Sequence, residues 1–331
     1  MAYRGKILFI GGSLNQTTMM HKISTHFPDY DCYFTPFYSD GIIDTLVQKG
    51  WLDFTILGGQ FRQSTLEYLK ENKLQIDWRG LKNDYDLVFT CQDLLVPKNI
   101  RNKKIVLVQE GMTDPESIFY HLVKMLDLPR WLAGTSTTGL SNAYDLFCVA
   151  SEGYRELFIE KGVNPQKIRV TGIPNFDNAA ELLNNNFPYR NYVLVATSDF
   201  RETFKFENRK EFIRKALRIA NGRQLIFKLH PNENHFRASY EIKELAPNAL
   251  IFTGGNVGHM VANSDTLITR YSSVVYLGVA LNKEVYSDYD YEWLKKMCPI
   301  QNNGTSAARI AEEARHLLHR KVSSVYQLKQ I

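Results

Sequence analysis

The sequence predicts an α/β protein made of two domains, each with a doubly wound parallel sheet. Three observations carry this prediction. The chain has 331 residues, short apolar runs alternate with amphipathic stretches, and each run becomes polar only at its C-terminal end. One hydrophobic core rarely serves a chain of this length. Apolar runs of this kind are typical of buried parallel strands joined by helices.

Candidate strands are distributed along the whole chain. They lie at residues 6–12, 52–59, 85–91, 103–111, 144–150, 167–173, 191–197, 223–229, 248–255, 265–270 and 283–287. The helical stretches between them indicate repeated βαβ units.

Two intervening helices have clear sequence signals. Ser151 is an N-cap residue for a helix that Gly162 ends. Residues 207–221 predict a second helix, in which Glu211 and Lys215 form an i,i+4 ion pair. Its apolar face consists of Phe212, Ile213, Ala216, Leu217 and Ala220.

The domain boundary is expected within residues 174–191, which are rich in Asn and Pro. This gives an N-terminal domain at 1–175 and a C-terminal domain at 176–331. A last helix at 306–318 is a candidate to return to the N-terminal domain. Ligands of doubly wound domains bind at the carboxyl ends of the strands, so we expect both sheets to face one central cleft.

Charge and composition narrow the function. The net charge of +5 and pI of about 8.8 suit anionic ligands such as nucleotides, or weak contact with an acidic membrane surface, but are too mild to indicate nucleic acid. No run approaches the roughly 18 apolar residues that span a bilayer. We therefore expect a cytoplasmic protein, either soluble or peripheral at the inner face of the membrane. The cysteines show no spacing typical of zinc sites or disulfide frameworks; they are Cys32, Cys91, Cys148 and Cys298.

Two strand ends in the second half favour phosphate binding. In FKLHPNE, Lys228 and His230 end a strand and Pro231 fixes the following turn. The alternative is a solvated lysine and a histidine whose hydrogen bonds are satisfied in the core. In TRYSS, the pair Ser272 and Ser273 is expected at the N-terminus of an apolar helix, where free N–H groups favour an anion. The alternative there is a plain N-cap.

Two strand ends in the first half are candidates to bind a substrate hydroxyl that acts as an acceptor. Glu110 follows a strand, so its carboxylate is a candidate general base, and Gly111 allows close approach of substrate to the backbone. Asp114 is a weaker candidate, since an acid at a helix start explains it equally well. The loop of Gly11, Gly12 and Ser13 suits an acceptor pocket or a simple strand–helix turn, and it lacks the dinucleotide pattern G-x-G-x-x-G.

Two further loops of the second half carry weaker signals. Arg201 lies just beyond a strand end, within reach of a diphosphate. The stretch GGNVGHM (254–260) suits a base or ribose, although a lone His259 near a helix start usually has no ligand role.

These motifs together resemble GT-B glycosyltransferases, with two Rossmann-like domains, and more narrowly the CDP-glycerol glycerophosphotransferase relatives. That family carries K-x-HP, matched here by Lys228, His230 and Pro231. It also carries T-D-Y-S-S followed by A-L-x-K-P-V. TRYSSVVYLGVALNKEV is similar, with Arg270 in place of the acid and Glu284 in place of the proline.

Bacterial sialyltransferases and β-Kdo transferases are a second resemblance. They combine an HP motif and a serine pair, which bind CMP, with an acidic residue and a glycine that supply the base. Glu110-Gly111 is similar to this last element, whereas glycerophosphotransferases tend to have His-Gly there.

The resemblance implies a metal-independent, inverting glycosyltransferase or polyol-phosphate transferase without a cofactor. Such an enzyme would use a CMP- or CDP-linked donor and a glycan or lipid-linked acceptor in cell-surface glycan synthesis. Glu110 would act as the base. The nucleotide and its phosphates would be bound by Lys228, His230, Pro231, Tyr271, Ser272, Ser273, Arg201 and Arg270.

Two other functions stay open. A UDP-N-acetylglucosamine 2-epimerase-like enzyme would share the fold but needs a D-S-G-G-type phosphate loop, from which R-Y-S-S departs. A non-catalytic scaffold would explain Arg270 in place of an acid.

Overall fold

The computed structural model describes residues 4–203 and 206–319. The chain forms two compact units. The first runs through Asp177 and includes the chain from Asn302 onward, and the second is Asn178–Gln301. Each unit has its own parallel sheet with interleaved helices, which confirms the predicted α/β class with two doubly wound domains. Within the described residues, no helix has the length and apolar character needed to cross a bilayer.

Six parallel strands form the sheet of the first unit, in the order β2-β1-β3-β4-β5-β6. Their bounds are β1 Lys6–Gly11, β2 Asp31–Pro36, β3 Leu87–Thr90, β4 Lys104–Val108, β5 Leu146–Val149 and β6 Ile168–Val170. Side chains of β3 and β5 are buried throughout, as expected for strands covered on both faces. The strand order reverses between β1 and β3, and an open α/β sheet typically binds ligands at the carboxyl end of such a reversal.

Five parallel strands form the sheet of the second unit, in the order β11-β10-β7-β8-β9. Their bounds are β7 Val193–Ala196, β8 Leu225–Lys228, β9 Leu250–Phe252, β10 Thr266–Ile268 and β11 Glu284–Tyr286. Here the order reverses between β7 and β10. The loops that follow these two strands therefore flank the expected ligand crevice of this sheet.

The α-helices of the described residues alternate with the strands. They are α1 Leu14–Ser24, α2 Gly41–Gln48, α3 Gly59–Glu71, α4 Ile118–Leu126, α5 Glu152–Lys161, α6 Arg209–Ala220, α7 His235–Leu245, α8 Val257–Asn263, α9 Val275–Ala280, α10 Tyr291–Met297 and α11 Ser306–His319. Short 3₁₀ segments lie at Trp78–Gly80, Lys98–Ile100, Arg130–Thr137, Pro165–Lys167 and Ala179–Leu183.

Helix α5 begins and ends where its sequence signals predict. The Ser151 hydroxyl accepts a hydrogen bond from the N–H of Tyr154, and Gly162 adopts the left-handed conformation with a φ of 108°. Both ends of this helix therefore follow from local chemistry alone.

The predicted strand at 52–59 is wrong. Residues 51–58 form turns and bends, and α3 follows them. The Asp53 carboxylate accepts a hydrogen bond from the N–H of Gly59, at 3.1 Å, and this contact fixes the start of α3. The strand β2 was missed in turn. It lies at the sheet edge, its first three residues are only partly buried, and Asp31 and Pro36 at its two ends leave a short apolar run between them.

Helix α6 covers one face of the second sheet. Phe212, Ile213 and Ala216 lie in the core together with Val193 and Phe227 of the strands. Leu217 is 37% exposed, so its assignment to the apolar face is wrong. Glu211 pairs with the neighbouring arginines Arg214 and Arg218 instead of the predicted Lys215.

The last helix, α11, belongs to the first unit. It packs against α1, β4 and β5, and its first N–H, at Ser306, donates to the Asp177 carboxylate at 2.8 Å. Residues Asn302–His319 thus lie with the N-terminal sheet, the place for which the last helix is a candidate in the sequence analysis.

Candidate functional site

The Glu110 carboxylate is the centre of a polar cluster in the first unit. It lies two residues beyond the end of β4. Its Oε1 accepts hydrogen bonds from the Ser13 hydroxyl at 3.0 Å and the Asn15 amide at 3.4 Å. Its Oε2 accepts from the Gln16 amide at 2.6 Å. Both carboxylate oxygens are therefore oriented by neutral donors from the first turn of α1.

The glycines of the loop after β1 are required by packing. A Cβ atom at Gly11 would lie 2.5 Å from the Thr17 hydroxyl, and one at Gly12 would lie 2.7 Å from the Gln16 amide oxygen. Both glycines are buried. The predicted contact of this loop with an acceptor therefore falls on Ser13, which is partly exposed.

Gly111 and Asp114 have structural partners. Gly111 is buried, so the predicted close approach of substrate to its backbone is not available, and its carbonyl accepts from the Gln109 amide at 2.7 Å. The N–H of Asp114 donates to the Thr135 hydroxyl, which donates in turn to the Asp114 carboxylate, each at 2.8 Å. Asp114 therefore fastens the 3₁₀ segment Arg130–Thr137.

His230 is the centre of the corresponding cluster in the second unit. Its N–H donates to the Thr197 hydroxyl at 3.0 Å, which ties the loop after β8 to the loop after β7. Its Nδ1 accepts from the N–H of Asn232 at 3.2 Å. A neutral ring that accepts at Nδ1 carries its proton on Nε2. The partly exposed imidazole therefore offers a hydrogen-bond donor at Nε2.

Burial lowers the pKa of His230, and the neighbouring Asp199 carboxylate, with Oδ2 3.7 Å from Nδ1, acts in the opposite direction. The net result favours the neutral ring near pH 7. A neutral N–H donor can bind a phosphate oxygen without first losing an ion pair.

The buried Glu233 stabilises the loop of His230 through two hydrogen bonds. Glu233 Oε2 accepts from the Thr197 hydroxyl at 2.5 Å, and the N–H of Glu233 donates to the His230 carbonyl at 3.0 Å. Burial raises the pKa of Glu233, and Arg209 opposes that shift. Thr197 thus connects the carboxylate to the main chain of His230.

Arg201 and Arg209 hold an ionic cluster, in which Arg209, Glu207 and Glu233 are buried while Arg201 and Glu241 are partly exposed. Arg201 donates to Glu241 at 2.8 Å. Arg209 pairs with Glu207 at 2.7 Å and with Glu233. Arg201 thus forms ion pairs with carboxylates of its own unit, and its predicted contact with a diphosphate stays a prediction.

Lys228 also differs from its predicted phosphate contact. The side chain is buried, and its ammonium donates to the carbonyls of Leu229 at 2.8 Å and Thr253 at 3.2 Å. Burial lowers its pKa. Lys228 therefore ties the end of β8 to the loop after β9, while Pro231 occupies the exposed turn.

Aromatic contacts join the loops on both sides of the strand reversal. The Arg270 guanidinium lies over the Phe200 ring, 5.2 Å from its centroid, and donates to the Asp288 carboxylate at 2.7 Å. The Tyr271 ring stacks on Phe200 at 6.0 Å and meets the edge of Tyr289 at 4.9 Å. Tyr271 and Arg270 are thus fixed at the expected crevice of this sheet.

The serine pair lies in the turn before α9. The hydroxyl of Ser272 accepts from the N–H of Val274 at 3.4 Å, and the carbonyl of Ser273 accepts from the N–H of Tyr276. The helix itself begins at Val275, so the two serines lie in the turn that leads into its N-terminus. Any anion bound here would rely on the hydroxyls and the turn more than on the dipole of a six-residue helix.

The structure brings together Thr197, Phe200, His230, Arg270 and Tyr271 at one edge of the second sheet. Sequence reasoning missed Thr197, Asp199 and Glu233 as partners of the histidine. Each lies in the loop after β7 or β8, inside a stretch that the sequence analysis singles out, and this position is the signal that could have found them.

In the stretch GGNVGHM, Asn256 caps α8 through the N–H groups of Gly258 and His259. Residues 4–203 and 206–319 contain no cluster of His, Cys, Asp or Glu suited to a metal ion.

Comparisons with known proteins show similarity in fold and none in sequence. No protein-family model matches the sequence, and no curated protein resembles it in sequence. A crystal structure of UDP-N-acetylglucosamine 2-epimerase is similar over 97% of this chain and 98% of its own, with a TM-score of 0.54 and 16% identity. The UDP-GlcNAc 2-epimerase of Neisseria meningitidis, bound to UDP-GlcNAc, is similar over 94% of this chain and 100% of its own, with a TM-score of 0.57 and 12% identity.

The wall teichoic acid polymerase TagF, in a variant soaked with CDPG, is also similar. The likeness covers 95% of this chain and 88% of that one, with a TM-score of 0.52 and 11% identity. These neighbours are of the GT-B type, which confirms the predicted GT-B fold and the resemblance at the level of the fold. The prediction that both halves face one cleft stays a prediction.

Proposed function

We propose that the protein is a GT-B transferase that acts on a nucleotide-activated donor, bound by its second unit. The observation that carries the proposal is the His230 imidazole, which offers an Nε2 donor beside the strand reversal of that sheet. Among the donors that fit such a site, CMP- or CDP-linked compounds have the support of the TagF neighbour soaked with CDPG.

Each part of the second site has a separate task in this proposal. His230 and the hydroxyls of Ser272 and Ser273 bind the phosphate of the nucleotide. They stabilise the charge that develops on it as the bond to the transferred group breaks. The exposed part of the Tyr271 ring, fixed by Phe200, offers a face for the nucleotide. Because Lys228 and Arg201 are engaged elsewhere, neither is assigned a phosphate contact.

Glu110 is the proposed general base. A carboxylate that accepts hydrogen bonds from Ser13 and Gln16 is held in one orientation, with room left on its oxygens for an acceptor hydroxyl. It would take the proton of that hydroxyl as the hydroxyl attacks the donor with inversion. The acceptor class that fits is a glycan or a lipid-linked glycan, and no metal or cofactor takes part in this scheme.

An epimerase that acts on UDP-N-acetylglucosamine is the second candidate. Two of the structural neighbours named above are UDP-GlcNAc 2-epimerases, one of them with UDP-GlcNAc bound. The nucleotide distinguishes the two candidates, since the epimerase requires UDP. A non-catalytic scaffold is the third, and release of free nucleotide from any donor would exclude it.

A nucleotide panel tests the proposal. Melting temperature is measured with CMP, CDP, UDP, CDP-glycerol and UDP-N-acetylglucosamine, because a ligand that binds only the folded state raises it. We expect stabilisation by CMP and CDP, and a loss of about tenfold or more in affinity for the variant His230→Ala. The matched control is His316→Ala, an exposed histidine on α11.

Two results would overturn the proposal. Stabilisation by UDP compounds alone would favour the epimerase. Equal CMP affinity in wild type and His230→Ala would remove the histidine loop from the site.

A further inference from the structure

Residues 174–177 are the last segment of the first unit before the chain enters the second unit. The carbonyl of Pro174 accepts a hydrogen bond from the Lys22 ammonium on α1, at 2.9 Å. The carboxylate of Asp177 accepts from the N–H of Ser306 at 2.8 Å. The segment is therefore held by hydrogen bonds to α1 at one end and to the start of α11 at the other.

Asn175 adds a set of hydrogen bonds between this segment and the first turns of α1. Its amide nitrogen, Nδ2, lies 3.0 Å from the main-chain carbonyl oxygen of Asn15, 2.8 Å from the Asn15 side-chain oxygen and 3.0 Å from the Thr18 hydroxyl. The Thr18 hydroxyl donates its own proton to the Asn15 carbonyl at 2.9 Å. A carbonyl oxygen can only accept, and the hydroxyl has already donated, so the Asn175 amide must present its two protons to these atoms.

The Asn15 amide is thereby left with one favourable orientation. Its side-chain oxygen accepts from Asn175, so its nitrogen faces the other way and donates to Glu110 Oε1, at 3.4 Å. The reversed amide would place two NH₂ groups against each other at Asn175 and would turn an oxygen toward the Glu110 carboxylate. Asn175 therefore determines which end of the Asn15 side chain meets the carboxylate.

We propose that Asn175 is a positioning residue for Glu110, acting through the amide of Asn15. The inference rests on the proposed role of Glu110 as the general base. A donor that faces a carboxylate stabilises its charged form, which is the form that accepts a proton from a substrate hydroxyl. Glu110 also accepts from Ser13 and Gln16 at shorter distances, 3.0 and 2.6 Å, so we expect the effect of Asn175 to be modest.

A purely structural role is the competing account, in which Asn175 does no more than hold residues 174–177 on α1. Lys22 makes a bond from α1 to the same segment, but its ammonium donates to a main-chain carbonyl and not to the amide that meets Glu110. The two accounts therefore differ in what the variants Asn175→Ala and Lys22→Met do to the Glu110 carboxyl group.

Titration of the Glu110 carboxyl group separates the two accounts. Protein labelled with ¹³C at the glutamate carboxyl carbons is titrated by NMR, and the Glu110 signal is assigned by its absence in Glu110→Gln. We expect the midpoint to lie roughly half a pH unit higher in Asn175→Ala than in the wild type, about threefold in the ratio of charged to protonated forms. Lys22→Met is the matched control, and its midpoint should equal that of the wild type. Asn175→Ser should shift the midpoint in the same direction and replaces the alanine variant if that variant does not fold.

A double-mutant cycle shows whether the effect passes through Asn15. The variant Asn15→Ala removes the donor directly and should raise the midpoint at least as much as Asn175→Ala. In the double variant the second substitution should add nothing further. The proposal is overturned if the two shifts add in full, if Asn175→Ala titrates like the wild type, or if Lys22→Met shifts as much as Asn175→Ala.

Turnover distinguishes a failure of this inference from a failure of the proposed function. If the protein releases CMP from CDP-glycerol, the acidic limb of its kcat/KM profile should move by the same half unit, roughly, in Asn175→Ala. The expected titration shifts in a protein without turnover would contradict the proposed function and support the positioning of Glu110 by Asn175. Turnover without those shifts would contradict the positioning role alone.

Discussion

The two polar clusters of the molecule use opposite means to orient a functional side chain. Glu110 in the first unit is held only by neutral donors, from Ser13, Asn15 and Gln16. His230 in the second unit is held through Thr197, which in turn rests on the buried ionic cluster around Arg209. Glu110 thus accepts hydrogen bonds from neutral groups, while Glu207 and Glu233 form ion pairs with Arg209.

The difference agrees with the proposed roles. A base that takes a proton works best when no cation competes for its charge. A loop that binds an anion must keep its shape when the anion leaves, and a buried ionic cluster fixes it at a high desolvation cost. Neutral hydrogen-bond donors therefore orient the proposed base, Glu110, whereas ion pairs stabilise the loop proposed to bind the nucleotide.

The largest expected effect is the loss of turnover when the Glu110 carboxylate of the first unit loses its charge. Glu110→Gln preserves size but removes the negative charge, so turnover should fall about 10²- to 10⁴-fold. Nucleotide affinity should stay unchanged, because the proposed nucleotide contacts lie in the other unit. The measurement is release of CMP or UDP from CDP-glycerol or UDP-N-acetylglucosamine, with the exposed Glu152→Gln as control. Unchanged turnover would remove Glu110 from the chemistry.

The second effect concerns stability. Arg209→Met removes the closest cation from the buried Glu207 and Glu233 and leaves them with Arg201, at 3.8 and 3.7 Å. The free energy of unfolding should therefore fall by up to about 3–5 kcal/mol. Arg218→Met removes an exposed ion pair with Glu211 and should leave the free energy of unfolding close to that of the wild type. Urea unfolding measures both. Equal stabilities for the two variants would show that the cluster does not support the second unit.

A smaller effect isolates the link between the cluster and the histidine. Thr197→Val removes the acceptor for the His230 N–H and the donor to Glu233, which should cost about 1–3 kcal/mol of unfolding free energy. Nucleotide affinity should fall as well, since His230 loses its fixed position. Thr197→Ser keeps the hydroxyl and should restore both values. If valine retained full affinity, the histidine loop would hold its shape without this link.

The smallest effect is a dependence of stability on pH. Burial lowers the pKa of His230 and of His21 in the folded state, whereas the unfolded value is about 6.5. Between the two values the unfolded state binds more protons, so this stability is fully present above about pH 6.5 and is lost as pH falls through the folded pKa. The variant His230→Gln should show a shallower decline from pH 7 to pH 5 in urea unfolding. Parallel curves would contradict the lowered pKa.

How far the sequence predicts this molecule depends on how local each feature is. Buried strands and the caps of α5 follow from apolar runs and from Ser151 and Gly162, so they were found. The edge strand β2 and the turns at 51–58 were not, because an edge strand has little apolar pattern and an apolar run can end in a loop. Neither error changed the predicted class of two doubly wound parallel sheets.

The candidate site shows the same limit. Strand ends indicated which loops carry Glu110 and His230. The sequence does not reveal, however, which carboxylates neutralise Arg201, since its partners come from α7 and from the segment before α6. A cation near a strand end therefore predicts a phosphate ligand even where carboxylates of the same unit bind it. The same holds for Lys228, whose partners are main-chain carbonyls that only the fold identifies.

The central claim is that the second unit binds a nucleotide phosphate through the histidine loop. A crystal structure of the protein soaked with CMP tests it most directly. The account predicts a phosphate oxygen within about 3 Å of His230 Nε2, with the turn of Ser272 and Ser273 beside it. CMP bound at the loop of Ser13 in the first unit, or a His230 ring with no contact to bound nucleotide, would contradict it.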